Sequence, residues 1–269
     1  MSFDLTIVIP GIRPQNWQRI LNSIPTSIGE YSYEVIFSGP NPPVDDTLVT
    51  TRKEDEWIYL ESYASPTKCV HEAAIHARGR LFTWASDDGV FMNDGLKEAI
   101  RFWDSDKGSK YDEVVMRYFE GVNFGGNYQG QPMDGPRASY WHAGHHPDLQ
   151  LPHIPPTYKV APLGMLSLEA FKFFGGFDCR FEHINMSPID LSIRIQNHGG
   201  GVYLSPLPTL NCDFPDLDDN GPQRGPVIRA FFQNDRPLFR ALYSNPGRPS
   251  ILDFNNYQEA PNVWGRRFN

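Results

Sequence analysis

Apolar and polar positions alternate in two rhythms along the first hundred residues. Leu5-Thr6-Ile7-Val8-Ile9 is a continuous apolar run that stops at Pro10-Gly11, and Trp17, Ile20, Leu21 and Ile24 then recur at helical spacing. Glu34-Val35-Ile36-Phe37 is a second run, closed by Ser38-Gly39-Pro40. Strand, helix and strand in this order predict a βαβ unit with parallel strands. Residues 41–56, proline-rich and then charged, predict a loop, and Trp57-Ile58-Tyr59-Leu60 a short strand. Ser65-Pro66-Thr67 opens a helix through Cys69, Val70, Ala73, Ala74 and Ala77, with a proline in its first turn and Gly79 beyond its end. Residues 81–85 then predict a buried strand that delivers Ser86-Asp87-Asp88-Gly89 to its C-terminal end.

The same order continues with a helix over 96–103 and a strand over 113–118. Residues 121–158 break it: Gly, Pro, Asn and His dominate, and a stretch this long without periodicity is expected to serve as a lid or acceptor loop. Order returns with 160–168, a helix near 169–174, the turn Gly175-Gly176-Phe177-Asp178, a helix over 189–197 ended by three glycines, and a last strand over 201–204. The tail holds one helix, at 226–243, and a proline-rich aromatic finish expected to pack across the body.

Composition narrows the class of protein. The 269 residues are enough for one large α/β domain or two small ones. No run of about 18 apolar residues occurs and no basic leader precedes a long apolar segment, so a soluble cytoplasmic protein without a transmembrane segment is expected. Cys69, Cys179 and Cys212 are odd in number and widely spaced, which suggests neither a disulfide framework nor a zinc site. A net charge of -8 argues against nucleic acid as a partner. From Gln223 onward, however, seven arginines face only Asp235, Asp253 and Glu259, so this tail is either a solvated surface or part of an anion-binding wall.

Candidate chemistry lies at the strand ends, because ligands of open α/β sheets bind in the crevice there. Two adjacent carboxylates at such an end can hold a divalent cation that neutralises a diphosphate. Asp-Asp occurs at 45–46, 87–88 and 218–219; only the middle pair directly follows an apolar strand, which selects it over the two in polar loops. His142, His145, His146 and His153 fall within twelve residues and are read as sugar contacts, packing groups or a zinc cluster.

The segment 65–91, with Ser-Asp-Asp at the strand end, resembles the helix, strand and DxD region of family 2 GT-A glycosyltransferases. Leu5 to Pro10 looks like their first strand and nucleotide loop. Gly175-Gly176-Phe177-Asp178 followed by Asp190-Leu191-Ser192-Ile193-Arg194 is similar to their acceptor-side block, and Asn234-Asp235-Arg236-Pro237-Leu238-Phe239 to a late segment. The resemblance implies an α/β GT-A fold, with a mostly parallel sheet flanked by helices. It implies a domain over 1–210, with a nucleotide-binding half at 1–118 and an acceptor-side half at 119–210, and an extension over 211–269. It implies metal-dependent transfer, with inversion, from a nucleotide-sugar donor, a UDP-sugar being favoured, to a saccharide or other hydroxyl acceptor, with Mn2+ or Mg2+ as cofactor. By position, Asp88 is the main metal ligand, and Asp87 contacts the ribose or shares the metal. Pro10, Gly11, Arg13, Ser38, Pro40, Lys68 and Ser86 border the nucleotide, and Asp190 is the base, with Glu182 as the alternative. Asp213 is the one stand-in for a further metal ligand from the C-terminal part.

Two departures separate the chain from that pattern. Ala85 stands where an acidic residue often precedes the pair, and Ser187-Pro188-Ile189-Asp190 replaces the usual Glu-Asp, leaving Asp190 as the matching carboxylate. A silent sugar- or nucleotide-binding module therefore stays open. A nucleotidyltransferase is the rival enzyme, although Pro10-Gly11-Ile12-Arg13-Pro14 is short for a triphosphate loop. No GxGxxG follows the first strand, which disfavours a dinucleotide-binding dehydrogenase.

Overall fold

The computed structural model describes residues 2–43, 48–50, 52, 55–105, 109–119, 141–212, 229–261 and 263. Each predicted apolar run in the first half becomes a strand. β1 (Phe3–Pro10), β2 (Tyr33–Gly39), β3 (Glu56–Glu61) and β4 (Gly79–Trp84) are mutually parallel, linked by α1 (Trp17–Ile28) and by α2 (Pro66–His76). The Ser65 hydroxyl caps α2 by accepting from the Lys68 amide at 3.2 Å, and Pro66 starts the helix where no backbone N–H is needed. Then come β5 (Val90–Phe91), α3 (Gly95–Asp104), β6 (Glu113–Phe119), β7 (Trp141–His142), β8 (Lys159–Val160) and β9 (Gly164–Ser167). α4 (Leu168–Phe173), α5 (Met186–Asn197), β10 (Val202–Asn211) and α6 (Arg236–Ser244) complete the order.

Eight strands form one sheet in the order β3-β2-β1-β4-β9-β6-β10-β5, while β7 and β8 pair separately. The chain moves from β1 outward to β2 and β3, then crosses back to place β4 on the other side of β1. Right-handed crossovers running in opposite directions lie on opposite faces. Accordingly α1 packs with α3, while α2 lies on β1 and β2, near α4 and α5. The reversal of direction between β1 and β4 is the topological switch point, where a crevice opens beyond the strand ends.

The sheet is mostly parallel, with β9 entering antiparallel between β4 and β6 and β5 antiparallel to β10. Sequence patterning and structure differ in two places. The last strand does not end at 204 but continues to Asn211 past Pro206 and Pro208, with shifts of register between Leu204 and Pro208 and between Pro208 and Leu210; prolines that normally end a strand are absorbed at these irregularities. Before α6 the backbone widens into one π-helical turn, Phe231–Asp235. No helix among the described residues is long and apolar enough to cross a membrane.

The main core lies on both faces of the sheet and includes Trp17, Phe37, Trp84 and Phe171, all essentially inaccessible. Within this apolar interior Glu113, at the start of β6, is fully buried and accepts from the Ser192 hydroxyl at 2.6 Å. Burial raises its carboxyl from an ordinary 4.5 to about 7, against the opposing effect of that hydroxyl. The folded chain thus keeps a proton that the unfolded chain releases, so the stabilisation is complete below pH 4.5 and is lost as pH rises through about 7. Glu113→Gln is expected to remove this decline, worth about 3 kcal/mol across the window, in urea unfolding measured at a series of pH values.

Candidate active site

The register of the parallel strands sets the site. Pro10 pairs with Ser38 of β2, and Val8 pairs with Trp84 of β4, so the loop after β1 emerges between Ser38-Gly39-Pro40 and Ser86-Asp87-Asp88. The Gly11 amide donates to the Ser38 carbonyl at 2.9 Å. Gly39 passes so close to this loop that a Cβ there would stand 1.9 Å from the Gly11 carbonyl oxygen. The Trp17 ring stacks on Phe37 at 4.2 Å beneath the loop, and the Tyr59 hydroxyl donates to the Gly39 carbonyl at 2.7 Å.

Asp87 is the centre of this end of the sheet. Its Oδ2 accepts from the backbone amides of Ile12 at 2.8 Å and Arg13 at 2.9 Å, and its Oδ1 accepts from Arg13 Nε at 2.9 Å and from Arg13 Nη2. Asn16 Nδ2 donates to the Asp87 carbonyl at 3.3 Å, and Asn41 Nδ2 to the Ile12 carbonyl at 2.7 Å. These two asparagines shape the loop and escaped the reading of the sequence; their only signal was an amide side chain in each of the two loops bordering the crevice.

Asp88 is placed differently. Arg13 Nη2 lies 3.5 Å from its Oδ2, whereas its Oδ1 is buried and meets no hydrogen-bond donor among the described residues. Burial raises the Asp88 carboxyl above its ordinary value, and neither the Arg13 charge nor the Ser86 hydroxyl cancels this. An acceptor buried without a donor is costly, and a hard cation satisfies an oxygen of this kind. The fit to a divalent metal therefore rests on Asp88. No group of three His, Cys, Asp or Glu side chains gathers around a common point among the described residues. Asp45-Asp46, Asp213, Asp218-Asp219 and residues 121–140 lie outside the described residues.

Lys68, expected to border the nucleotide, meets the C-terminal tail. Its Nζ pairs with Glu259 of the C-terminal tail and lies 3.5 Å from Glu72, because that tail crosses α2. There the Tyr257 hydroxyl donates to Glu72 at 3.0 Å, His71 Nε2 donates to the Phe254 carbonyl at 3.0 Å, and the His71 ring stacks on Phe254. Between the tail, the N-terminus of α2 and the loop after β3 is a cavity of about 460 Å³ lined by Glu61, Ser65, Lys68, Glu259 and Val263. It adjoins the strand ends, since the Ser62 amide donates to the Gly39 carbonyl.

Asp190, expected as the base, lies in a buried ion-pair hub. It is wholly inaccessible; Arg194 Nε donates to its Oδ2 at 2.8 Å, Arg248 Nη2 to Oδ2 at 2.7 Å, Arg248 Nε to Oδ1 at 3.0 Å, and the Tyr243 hydroxyl to Oδ1 at 2.8 Å. Burial alone would raise its carboxyl, but the Arg248 and Arg194 charges and the bonds from Arg248 and Tyr243 hold it well below the usual carboxylate range. Arg194 also donates to the Phe174 and Gly176 carbonyls, which fixes the turn where Gly175 and Gly176 adopt φ of +80° and +63°. Arg248 continues to Asp178 at 2.9 Å, and Arg180 grips the same carboxylate at 2.9 and 2.6 Å. Glu182, the alternative base, is likewise buried. Its amide and that of His183 donate to Asp235 at 2.9 and 2.7 Å, which is the task of the Asn234-Asp235 segment.

The arginine-rich tail forms internal pairs. Arg236 and Arg240 hold Asp148, and Arg248 holds Asp178 and Asp190, so three of its cations are committed to acids. Of the histidines, the His142 and His145 rings approach to 5.9 Å, and His146 Nδ1 accepts from the Asp148 amide at 3.2 Å.

No protein-family model matches the chain, and neither does any curated protein sequence. Solved structures do match in fold. S. aureus TarS superposes with a TM-score of 0.50 at 14% identity, over 88% of this chain and 45% of that one. GalNAc-T7 with UDP, GalNAc and Mn2+ superposes with a TM-score of 0.55 at 12% identity, over 86% of this chain and 48% of that one. TarS 1–349 in complex with UDP-GlcNAc gives a TM-score of 0.52 at 13% identity, over 91% of this chain and 72% of that one. The chain thus spans about half the length of the first two, and its fold is that of the GT-A glycosyltransferases.

Breaking one partner of a buried ion pair costs about 3–5 kcal/mol. Asp190→Asn is therefore expected to lower stability by an amount in that range in urea unfolding, an effect that a solvent-facing base would not produce.

Proposed function

We propose that the chain is a glycosyltransferase that moves a sugar from a nucleoside-diphosphate donor, a UDP-sugar being favoured, to a hydroxyl acceptor with inversion, using Mn2+ or Mg2+. The observation that carries this reading is the Asp87-Asp88 pair at the topological switch point, one carboxylate locked to the nucleotide-side loop and the other holding a buried oxygen without a donor. The fold supports it, as do the UDP, UDP-GlcNAc and Mn2+ named with the superposed structures.

In this reading Pro10, Gly11, Ser38 and Pro40 border the base and ribose, and Arg13 and Asp87 hold the loop they belong to in shape. Ser86 turns the chain so that Asp88 faces the diphosphate, and Asp88 would hold the cation. When bound, the cation supplies Lewis-acid neutralisation of the departing diphosphate. The Gly175–Asp178 turn, made rigid by Asp190, Arg194 and Arg248, forms the acceptor-side wall. The donors that occupy both oxygens of Asp190 favour one rival, a binding module that retains donor affinity without transfer; release of UDP from UDP-GlcNAc by the protein separates the two.

A ligand at about a hundred times its dissociation constant adds about 2.7 kcal/mol of stability. Thermal unfolding with UDP and Mn2+ is expected to shift upward by several degrees, with Asp88→Asn losing the shift. An unchanged curve with UDP, GDP and CDP, with and without metal, would sink the proposal.

A further inference from the structure

The two adjacent aspartates do not offer the same thing to a cation. A carboxylate has about four acceptor positions, and Asp87 has four donors: the Ile12 and Arg13 amides on one oxygen, and the Arg13 Nε and Nη2 on the other. Its side chain is nearly closed off at 4% exposure. Arg13 reaches it through both backbone and side chain, its amide on Oδ2 and its Nε and Nη2 together on Oδ1. Asp88, beside it, keeps a buried Oδ1 that no donor meets.

Resting on the glycosyltransferase reading, we propose that Arg13 is a built-in counter-ion that withdraws Asp87 from the cation's ligands. The cation is then held by Asp88 together with the donor's own diphosphate, and enters with the nucleotide rather than before it. Arg13 sets cation affinity as a positioning residue acting through Asp87. Charge points the same way. Asp87, Asp88 and Arg13 together leave one negative charge at the strand ends, so a diphosphate arriving alone meets a like charge, and a divalent cation reverses that sign. A cation arriving alone finds the Asp88 carboxylate open while the Asp87 oxygens are taken by Ile12 and Arg13.

The test is titration of the whole chain with Mn2+, free ion being read by electron paramagnetic resonance, without nucleotide and then with saturating UDP. The wild-type chain is expected to bind Mn2+ at least about tenfold more tightly with UDP than without. Arg13→Met, which keeps the backbone amide and removes the guanidinium, is expected to raise affinity for Mn2+ alone by about tenfold, because a second carboxylate becomes available. The double variant Arg13→Met, Asp87→Asn is expected to return to the wild-type value. If Arg13→Met is without effect, or if the double variant keeps the gain, Asp87 was never withheld and the inference falls. Should circular dichroism show Arg13→Met unfolded, Arg13→Lys takes its place: it keeps the charge but cannot supply both side-chain donors to Oδ1, so a smaller gain in the same direction is expected and no gain overturns the inference. The titration without nucleotide does not depend on the donor, so a gain there in a chain that ignores UDP would discard the glycosyltransferase reading and keep the role of Arg13, and no gain in a chain that binds UDP would do the reverse.

Discussion

Four hydrogen bonds converging on the Asp87 carboxylate hold the functional end of this molecule together. Parallel strands align only the backbones of β1 and β4; nothing in their ladder dictates where the loop after β1 should go. The carboxylate does so, by gathering two consecutive amides and the guanidinium from that loop onto the turn after β4. A carboxylate removed from water needs this full set of partners, since hydrogen bonds to ionised groups are strong and an unmet one is expensive. The close pass of Gly39 under the Gly11 carbonyl completes the arrangement by bringing β2 to the same point.

A second arginine-aspartate hub organises the other side of the crevice. Asp190 on α5 binds Arg194 one turn further on and Arg248 from the tail, and through them the Phe174 and Gly176 carbonyls and Asp178 are set in place. The two hubs use the same chemistry for the same end, fixing an irregular loop on a regular scaffold. They differ in what remains available. Among the described residues the first leaves an open oxygen next door, on Asp88, whereas both oxygens of Asp190 are met by donors.

How far the sequence revealed this follows from the range of each interaction. Strands β1 to β4 and helices α1 to α3 were legible because their apolar periodicity is local, and the Ser65 cap and Pro66 announced α2. The Asp87-Asp88 pair was legible because it directly follows a buried strand. The pairing of Lys68 with Glu259, 191 positions away, was not, nor was the closure of Arg248 onto Asp190 across 58. No local pattern encodes which acid an arginine will meet. The continuation of β10 through two prolines was hidden for the converse reason, a strong local signal overridden by pairing with β6 and β5.

The position of β9 governs the order in which the sheet can be put together. Strands β1 to β4 pair with one another as they leave the ribosome, for each finds its neighbour among residues already made. β6 has no such neighbour: it is joined to β4 only through β9, some fifty residues later, and is flanked on its far side by β10, later still. The edges of β4 and β6 that face β9 can pair only once β9 has been made, and contacts so distant in sequence close slowly. The strands that present the Asp87 hub thus pair among the first eighty-odd residues, whereas the helix that carries Asp190 follows β9, the strand that joins the two halves of the sheet.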